Sequence, residues 1–245
     1  MSTYQTQGLV LSSQDFREAD KFFSIYTDTR GKIECLATGV RKIKSKLRAH
    51  LEPFSVVDLM IANGRRHNRL TSAIVQKSYK KIRSDYNLIT FSFSLLEIID
   101  QLTKLHHPDP RIFNLLKESF DFVENREVEE AELKSIRAHF ILNFLSLLGY
   151  TPELKICVRC KGLISNPAYF SFADGSVICE KCVNNDQQIS PESVKVLNIY
   201  LNTYLDECFF SCPENIASDE CCKLVDDFLV YQLDRPLKSD IFVKK

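Results

Sequence analysis

Four cysteines stand in two pairs with the spacing of a metal site: Cys157 and Cys160 in ICVRC, and Cys179 and Cys182 in ICEKC, with residues 161–178 between them. A C-x2-C turn brings two thiolates to one side of an ion, and a second such turn closes a tetrahedron. The metal suited to four sulfurs in that arrangement is zinc. Once sulfur fills all four positions no place is left for a reactive water, so the sequence predicts one structural Zn2+. The competing reading, two disulfides or buried thiol pairs, fits an oxidising compartment. The opening MSTYQTQGLVLSSQDF lacks the basic segment and apolar core of a secretory signal, and a cytoplasmic location is expected. Five further cysteines, Cys35, Cys208, Cys212, Cys221 and Cys222, have no ligand spacing and read as reduced thiols rather than a second metal site.

The second group of residues with chemistry to offer is basic. Net charge is zero, yet residues 1–83 carry 16 Lys+Arg against 7 Asp+Glu, a net of +9, and the remainder carries 16 against 25, a net of −9. Such segregation predicts a polyanionic partner for the first part and repulsion of that partner by the second. The cations are concentrated in RKIKSKLR, which holds Arg41, Lys42, Lys44, Lys46 and Arg48, and in NGRRHNR, which holds Arg65, Arg66 and Arg69. Two such runs on one small module favour contact with phosphates over a merely solvated surface. Phe16, Phe22, Phe23, Tyr26 and Phe54 offer rings that can stack on bases, although most aromatics of a small barrel serve its core.

Catalytic machinery is not evident. The chain has no phosphate-binding G-x-x-x-x-G-K-[ST] loop, no G-x-S-x-G elbow, no H-E-x-x-H and no G-x-G-x-x-G, and it has 7 glycines in all. His50, His67, His106, His107 and His139 stand in no ligand or triad spacing. The pattern predicts a binding protein that is not an enzyme.

The elements that must position these residues are legible from periodicity. Strands are predicted at Thr3–Leu11, Phe22–Thr27, Lys32–Val40, Phe54–Ile61 and Leu70–Ser78, with turns at Asp28-Thr29-Arg30-Gly31 and Asn63-Gly64. Five strands in about 80 residues suggest an OB-fold, whose ligand lies across strands 2 and 3 between the loops after strands 1 and 4. Arg17 and Lys21 fall in the first of those loops, Arg30 and Lys32 border the strand face, and Arg65, Arg66 and Arg69 fall in the second.

From Ser84 onward the period becomes helical. Leu88, Phe91, Leu95, Ile98 and Leu102 form one stripe, Asp109-Pro110 opens a second helix, and a third ends at Leu148 with Gly149 behind it. That third helix ends in HFILNFLSLLGY, apolar on nearly all sides and so expected in the middle of a bundle. Its run Phe140–Leu148 is far too short to span a bilayer. Ser190-Pro191-Glu192 and Ser218-Asp219-Glu220 open two more helices. The predicted architecture is multidomain α+β. A five-stranded OB-fold barrel, 1–80, precedes an all-α helical domain, 81–152 and 187–245, into which a four-cysteine zinc element, 153–186, is inserted.

Four stretches resemble the RecO family of bacterial DNA-repair proteins, in that family's order. They are TQGLVLSSQDFREADKFFSIYTDTRGKI with ATGVRKIKSKLRAHLEPFS, RAHFILNFLSLLGYTPELKICVRC, FSFADGSVICEKC, and YQLDRPLKS. The cysteines place the chain in the zinc-bearing subset. The resemblance implies binding of single- and double-stranded DNA, annealing of complementary strands, and work with RecR and the single-strand-binding protein to load the RecA recombinase. It also implies DNA contacts at Lys32, Arg41, Lys42, Lys44, Lys46 and Arg48, and a pocket in the helical domain for the single-strand-binding protein's C-terminal tail, with Arg137 as the candidate carboxylate-binding cation. The alternative from another class is a zinc-ribbon, OB-fold RNA-binding accessory protein of transcription or translation.

Overall fold

Strands β1 (Thr3–Asp15), β2 (Lys21–Thr27), β3 (Gly31–Ala37), β4 (Ser55–Ala62) and β5 (Asn68–Ser78) close a barrel in the order β1-β2-β3-β5-β4, in a computed structural model that describes residues 2–211 and 216–239. The barrel closes because β4 returns antiparallel to β1, from Thr3↔Ala62 to Leu9↔Val56, while β3 and β5 meet in parallel at Cys35↔Asn68 and Leu36↔Arg69. This is the expected OB topology. β1 runs past the predicted end at Leu11, and a bulge between Val10 and Ser12 bends it so that one strand serves both neighbours.

Alternation sorts the side chains. Phe23, Ile25, Ile33, Cys35, Val57 and Leu59 fill the interior, so Phe22, Ser24, Tyr26, Lys32, Glu34 and Leu36 stand on the outer side of β2 and β3. Cys35 is fully buried, and burial, with a smaller push from Glu34, raises its thiol to about 12. It is an inert core thiol. The segment after β3 closes one end of the barrel with Val40, Leu47 and Leu51, which anchors the basic run at both ends.

Three helices follow: α1 (Lys80–Ser84), α2 (Tyr86–Leu102) and α3 (Pro110–Asn125). The predicted stripe Leu88, Phe91, Leu95 and Ile98 is buried, and Asp85 and Asp109 cap α2 and α3 by accepting from the Leu88 and Arg111 amides, both at 2.9 Å. These helices group with the barrel. Contacts divide the chain into residues 1–126 with the C-terminal segment from 237, and residues 127–236, whereas the sequence placed the boundary at 80.

The reason is polar anchoring. The Glu124 carboxylate accepts from the amides of Lys80, Lys81 and Ile82 at the start of α1. The Tyr79 hydroxyl donates to Asp121 at 2.7 Å, and the His106 amide donates to the Lys32 carbonyl at 2.9 Å. Gly31 has φ +65°, and a Cβ on it would lie 2.3 Å from the His107 carbonyl oxygen, so only glycine lets the α2–α3 connection settle against the β2–β3 turn. The Glu97 carboxylate accepts from the amides of Lys238 and Ser239, each at 2.9 Å.

The second unit is built on α4 (Glu130–Leu147), β6 (Ala168–Ser171), β7 (Ser176–Cys179), β8 (Gln187–Ile189), α5 (Pro191–Asn202), α6 (Leu205–Ser211) and α7 (Ile216–Leu233). A capping box of Glu129 and Glu132 starts α4, and Gly149, at φ +98°, follows its end. As its apolar second half predicts, α4 is largely buried from Ile136 to Leu145, where it packs on α5 and α7. His139 and Asn143 turn their polar atoms to the Thr203 and Tyr200 carbonyls at the end of α5, at 3.1 and 2.8 Å. The short strands β7-β6-β8 form an antiparallel sheet that the sequence did not predict, fixed to α7 by Phe170 against Phe228. No described helix is long and apolar enough to cross a membrane.

Candidate functional site

The structure brings the four predicted cysteines together. All four sulfurs lie within 4.8 Å of one another, with Cys160 and Cys179 at 3.6 Å. Four sulfurs bound tetrahedrally to one ion at about 2.3 Å stand roughly 3.8 Å apart, so the cluster fits zinc. The first knuckle is a tight turn in which the Cys157 amide donates to the Gly162 carbonyl and the Lys161 amide to the Cys157 carbonyl, both at 2.8 Å. The second lies where β7 gives way to a short 3-10 turn, Glu180–Cys182.

Burial pushes the Cys157 thiol up, but the amides of Cys160, Cys179 and Arg159 donate to it and bring it down to about 6. Cys182 is pushed up to about 12 by its hydrogen bond with Cys160, by burial, and by Cys179 and the charge on Cys157. Metal-free sulfurs therefore resist sharing so much negative charge, and a divalent cation among them removes the conflict.

Sequence reading missed the residue that locks the two knuckles. Arg159, inside the first C-x2-C, donates to Asp174 at 2.8 Å, to Asp186 at 3.1 Å, to the Cys182 carbonyl at 2.6 Å and to the Ser171 hydroxyl at 3.0 Å. Its signal was an arginine between two ligands with aspartates beside the second pair. Of the other cysteines, Cys208, Cys221 and Cys222 are buried in no metal-like group among the described residues, and Cys212 lies outside those residues.

The basic candidates divide into two groups. Lys42, Lys44, Lys46 and Arg48 on the β3–β4 loop, and Arg65, Arg66 and Arg69 at the β4–β5 loop, are exposed and have no ion-pair partner among the described residues. Lys32 is engaged: its ammonium donates to the Asp100 carbonyl and lies 3.6 Å from the Asp100 carboxylate, with 13% of its side chain exposed. Arg41 pairs with Asp15 at 3.1 Å, as does Lys21 at 3.3 Å, and Arg30 lies over the Tyr4 ring. In the second unit, Arg137 pairs with Asp226.

The loops that carry the unengaged cations share a root. The Gly39 amide donates to Asp20 at 2.8 Å and the Arg41 amide to the Ala19 carbonyl at 3.0 Å, tying the β3–β4 loop to the β1–β2 loop. His67, from the β4–β5 loop, meets Phe22 edge to face at 4.9 Å, and Phe22 meets Phe16 likewise at 4.6 Å.

The strand face expected to hold ligand is only partly open. Asp100 on α2 accepts from Ser12 and Ser24, each at 2.7 Å, and pairs with Lys32, while the Tyr26 hydroxyl donates to the Asp109 carbonyl at 3.1 Å. Helix α2 and the start of α3 therefore cover one end of the β2–β3 face. The end at Phe22, Leu36 and Arg69, one row across β2, β3 and β5, lies beyond those bonds.

Comparison with known proteins finds matches along nearly the whole chain. Residues 1–79 match the family described as Recombination protein O N terminal, and residues 83–241 match Recombination protein O C terminal. The chain is 31% identical to the DNA repair protein RecO of Bifidobacterium longum (strain DJO10A), over 98% of both chains. It is 29% identical to that of Alkaliphilus metalliredigens (strain QYMF), over 94% of both. The RecO of Rubrobacter xylanophilus is 34% identical over 74% of this chain and 72% of its own.

Proposed function

This chain belongs to the RecO family of DNA-repair proteins, and from that premise we propose that it is a non-enzymatic mediator of homologous recombination that binds single- and double-stranded DNA and anneals complementary strands. The observation that carries the reading is the set Lys42, Lys44, Lys46, Arg48, Arg65, Arg66 and Arg69, exposed on loops rooted together at one end of a barrel and without carboxylate partners among the described residues. Cations left unneutralised by the protein are available to phosphates, and binding to phosphates is indifferent to sequence. Two strands held on such a surface lose much of their mutual repulsion, so annealing is accelerated while base pairing supplies the driving force.

The four-cysteine cluster is proposed to hold one structural Zn2+ that fixes the sheet β7-β6-β8, with no part in chemistry. RecR, the tail of the single-strand-binding protein and, indirectly, RecA are proposed as partners on the strength of family membership, with the cytoplasm as the place of action. Arg137 would take a tail carboxylate only by exchanging Asp226 for it. The decisive experiment follows complementary oligonucleotides coated with single-strand-binding protein, with and without this chain. Accelerated duplex formation that needs no nucleotide supports the proposal, and unchanged kinetics reject it.

A further inference from the structure

The end of the strand face beyond the Asp100 and Asp109 bonds, where Leu36 is buried and Phe22 half-buried, carries more than charge. Phe16 is 42% exposed at the start of the β1–β2 loop, held there by the hydrogen bond its amide donates to the Asp20 carbonyl at 3.1 Å and the one the Asp20 amide donates to the Arg17 carbonyl at 3.3 Å. It packs edge to face on Phe22, interplanar angle 70°, and Phe22 packs edge to face on His67 at 74°. The Arg17 guanidinium carbon lies 5.1 Å from the centre of the Phe16 ring. A single exposed ring is ordinary. Three rings in contact, Phe16 and His67 from two loops and Phe22 from β2 between them, none in the barrel's core, are a built feature, and the two loops also carry Arg17, Arg65 and Arg66.

Position adds to this. Phe22 begins the row that crosses to Leu36 and Arg69, the part of the face free of the Asp100 and Asp109 bonds. Edge-to-face packing props the Phe16 ring at an angle to its neighbour instead of laying it flat. Unpaired bases have open π-faces and paired bases in a duplex do not, so an exposed ring among cations discriminates between the two forms of nucleic acid.

Resting on the DNA-binding reading above, we infer that Phe16, braced by Phe22 and His67, is a stacking platform for an unpaired base, and that it adds a preference for single strands to the sequence-blind phosphate contacts. Arg17 shares the ring and supplies a cation for the phosphate that comes with the base.

The chain contains no tryptophan, so Phe16→Trp in the full-length protein puts the only indole at the site. Binding of oligo(dT) and of an abasic oligomer of equal length is measured by anisotropy, in parallel with indole fluorescence. Quenching by oligo(dT) and not by the abasic oligomer, with both bound, is the expected result. Phe16→Leu keeps an apolar side chain against Phe22 but has no π-face. It should weaken oligo(dT) binding by roughly 5- to 100-fold, the worth of one stacked base, with abasic and duplex binding held within about twofold and Phe16→Tyr restoring the loss. The inference is overturned alone if wild-type protein binds oligo(dT) and the abasic oligomer with equal, salt-dependent affinity, or if Phe16→Leu matches wild type. Failure to bind any DNA overturns it together with the DNA-binding reading.

Discussion

Lys32 on β3 and Asp100 on α2 form an ion pair at 3.6 Å, sixty-eight residues apart in the chain, and Asp100 simultaneously accepts from Ser12 on β1 and Ser24 on β2. One carboxylate thus fastens α2 to three strands of the barrel. Asp100→Ala removes the acceptor of both serine hydroxyls and the ion-pair partner of Lys32, whose bond to the carbonyl of residue 100 remains, and is expected to destabilise the protein by about 2 kcal/mol, discounted for partial exposure. Lys32→Ala should likewise lower the melting temperature while leaving the salt dependence of DNA binding unchanged. A flattened salt slope in Lys32→Ala would show instead that this lysine meets phosphate.

The exposed run gives the opposite signature. Changing Lys42, Lys44 and Lys46 together to Ala should leave thermal stability near wild type, because the three side chains are exposed and unpartnered among the described residues. It should weaken binding to every sequence alike and flatten the slope of log K against log salt by about 2 on single strands. A triple variant that keeps the wild-type slope assigns the phosphates to Arg65, Arg66 and Arg69.

Metal content tests the cysteine cluster directly. Freshly purified protein should carry one equivalent of zinc, and Cys157→Ser or Cys179→Ser should lose it, with reduced melting temperature and solubility. A structural four-sulfur site supplies on the order of 10 kcal/mol of apparent binding free energy in small peptides, enough for its loss to unfold the sheet β7-β6-β8 at the least. Purified wild-type protein without zinc overturns the assignment.

Arg159 should matter nearly as much as a ligand. Its bonds to Asp174, Asp186 and the Cys182 carbonyl hold the two knuckles in register, so Arg159→Ala is expected to lower metal affinity by about 10- to 100-fold. Competition with a chromophoric chelator measures this. Zinc retention equal to wild type would limit Arg159 to a surface role.

His139 predicts the pH dependence of the helical unit. Burial lowers its pKa from 6.5, only partly countered by its bond with the Thr203 carbonyl. Since a carbonyl can only accept, Nε2 is the donor, and Nδ1 is buried with no partner for a proton among the described residues. The unfolded chain therefore binds a proton below about 6.5 that the folded chain refuses, and stability present above that value falls as pH drops through it. Melting temperatures between about pH 5 and 7.5 should fall more steeply for wild type than for His139→Leu. Parallel curves would place the acid sensitivity elsewhere.

The sequence by itself determined the local features. Asp109-Pro110 and Ser190-Pro191 open the predicted helices because capping chemistry is contained within a few residues, and Ser190 does accept from the Ser193 amide at 3.1 Å. The cysteine cluster was legible for the same reason: a C-x2-C turn carries its own geometry, and two of them need only be brought together. The five strands were legible from alternation, with errors at their ends, as at β1, whose bulge answers to two partner strands at once. Tertiary structure decided what no spacing encodes. Lys32 and Lys42 are the same residue type in one basic region, yet an aspartate sixty-eight positions beyond Lys32 engages it and leaves Lys42 unpaired among the described residues. The helices α1–α3 read as the start of a helical domain because amphipathic periodicity tells which face is buried and not what covers it. Chain closure, through Asp100, Asp121 and Glu124, put the barrel there. His67 had no partner in the sequence because Phe22 lies forty-five residues before it, and only closure of the barrel brings the two rings to 4.9 Å.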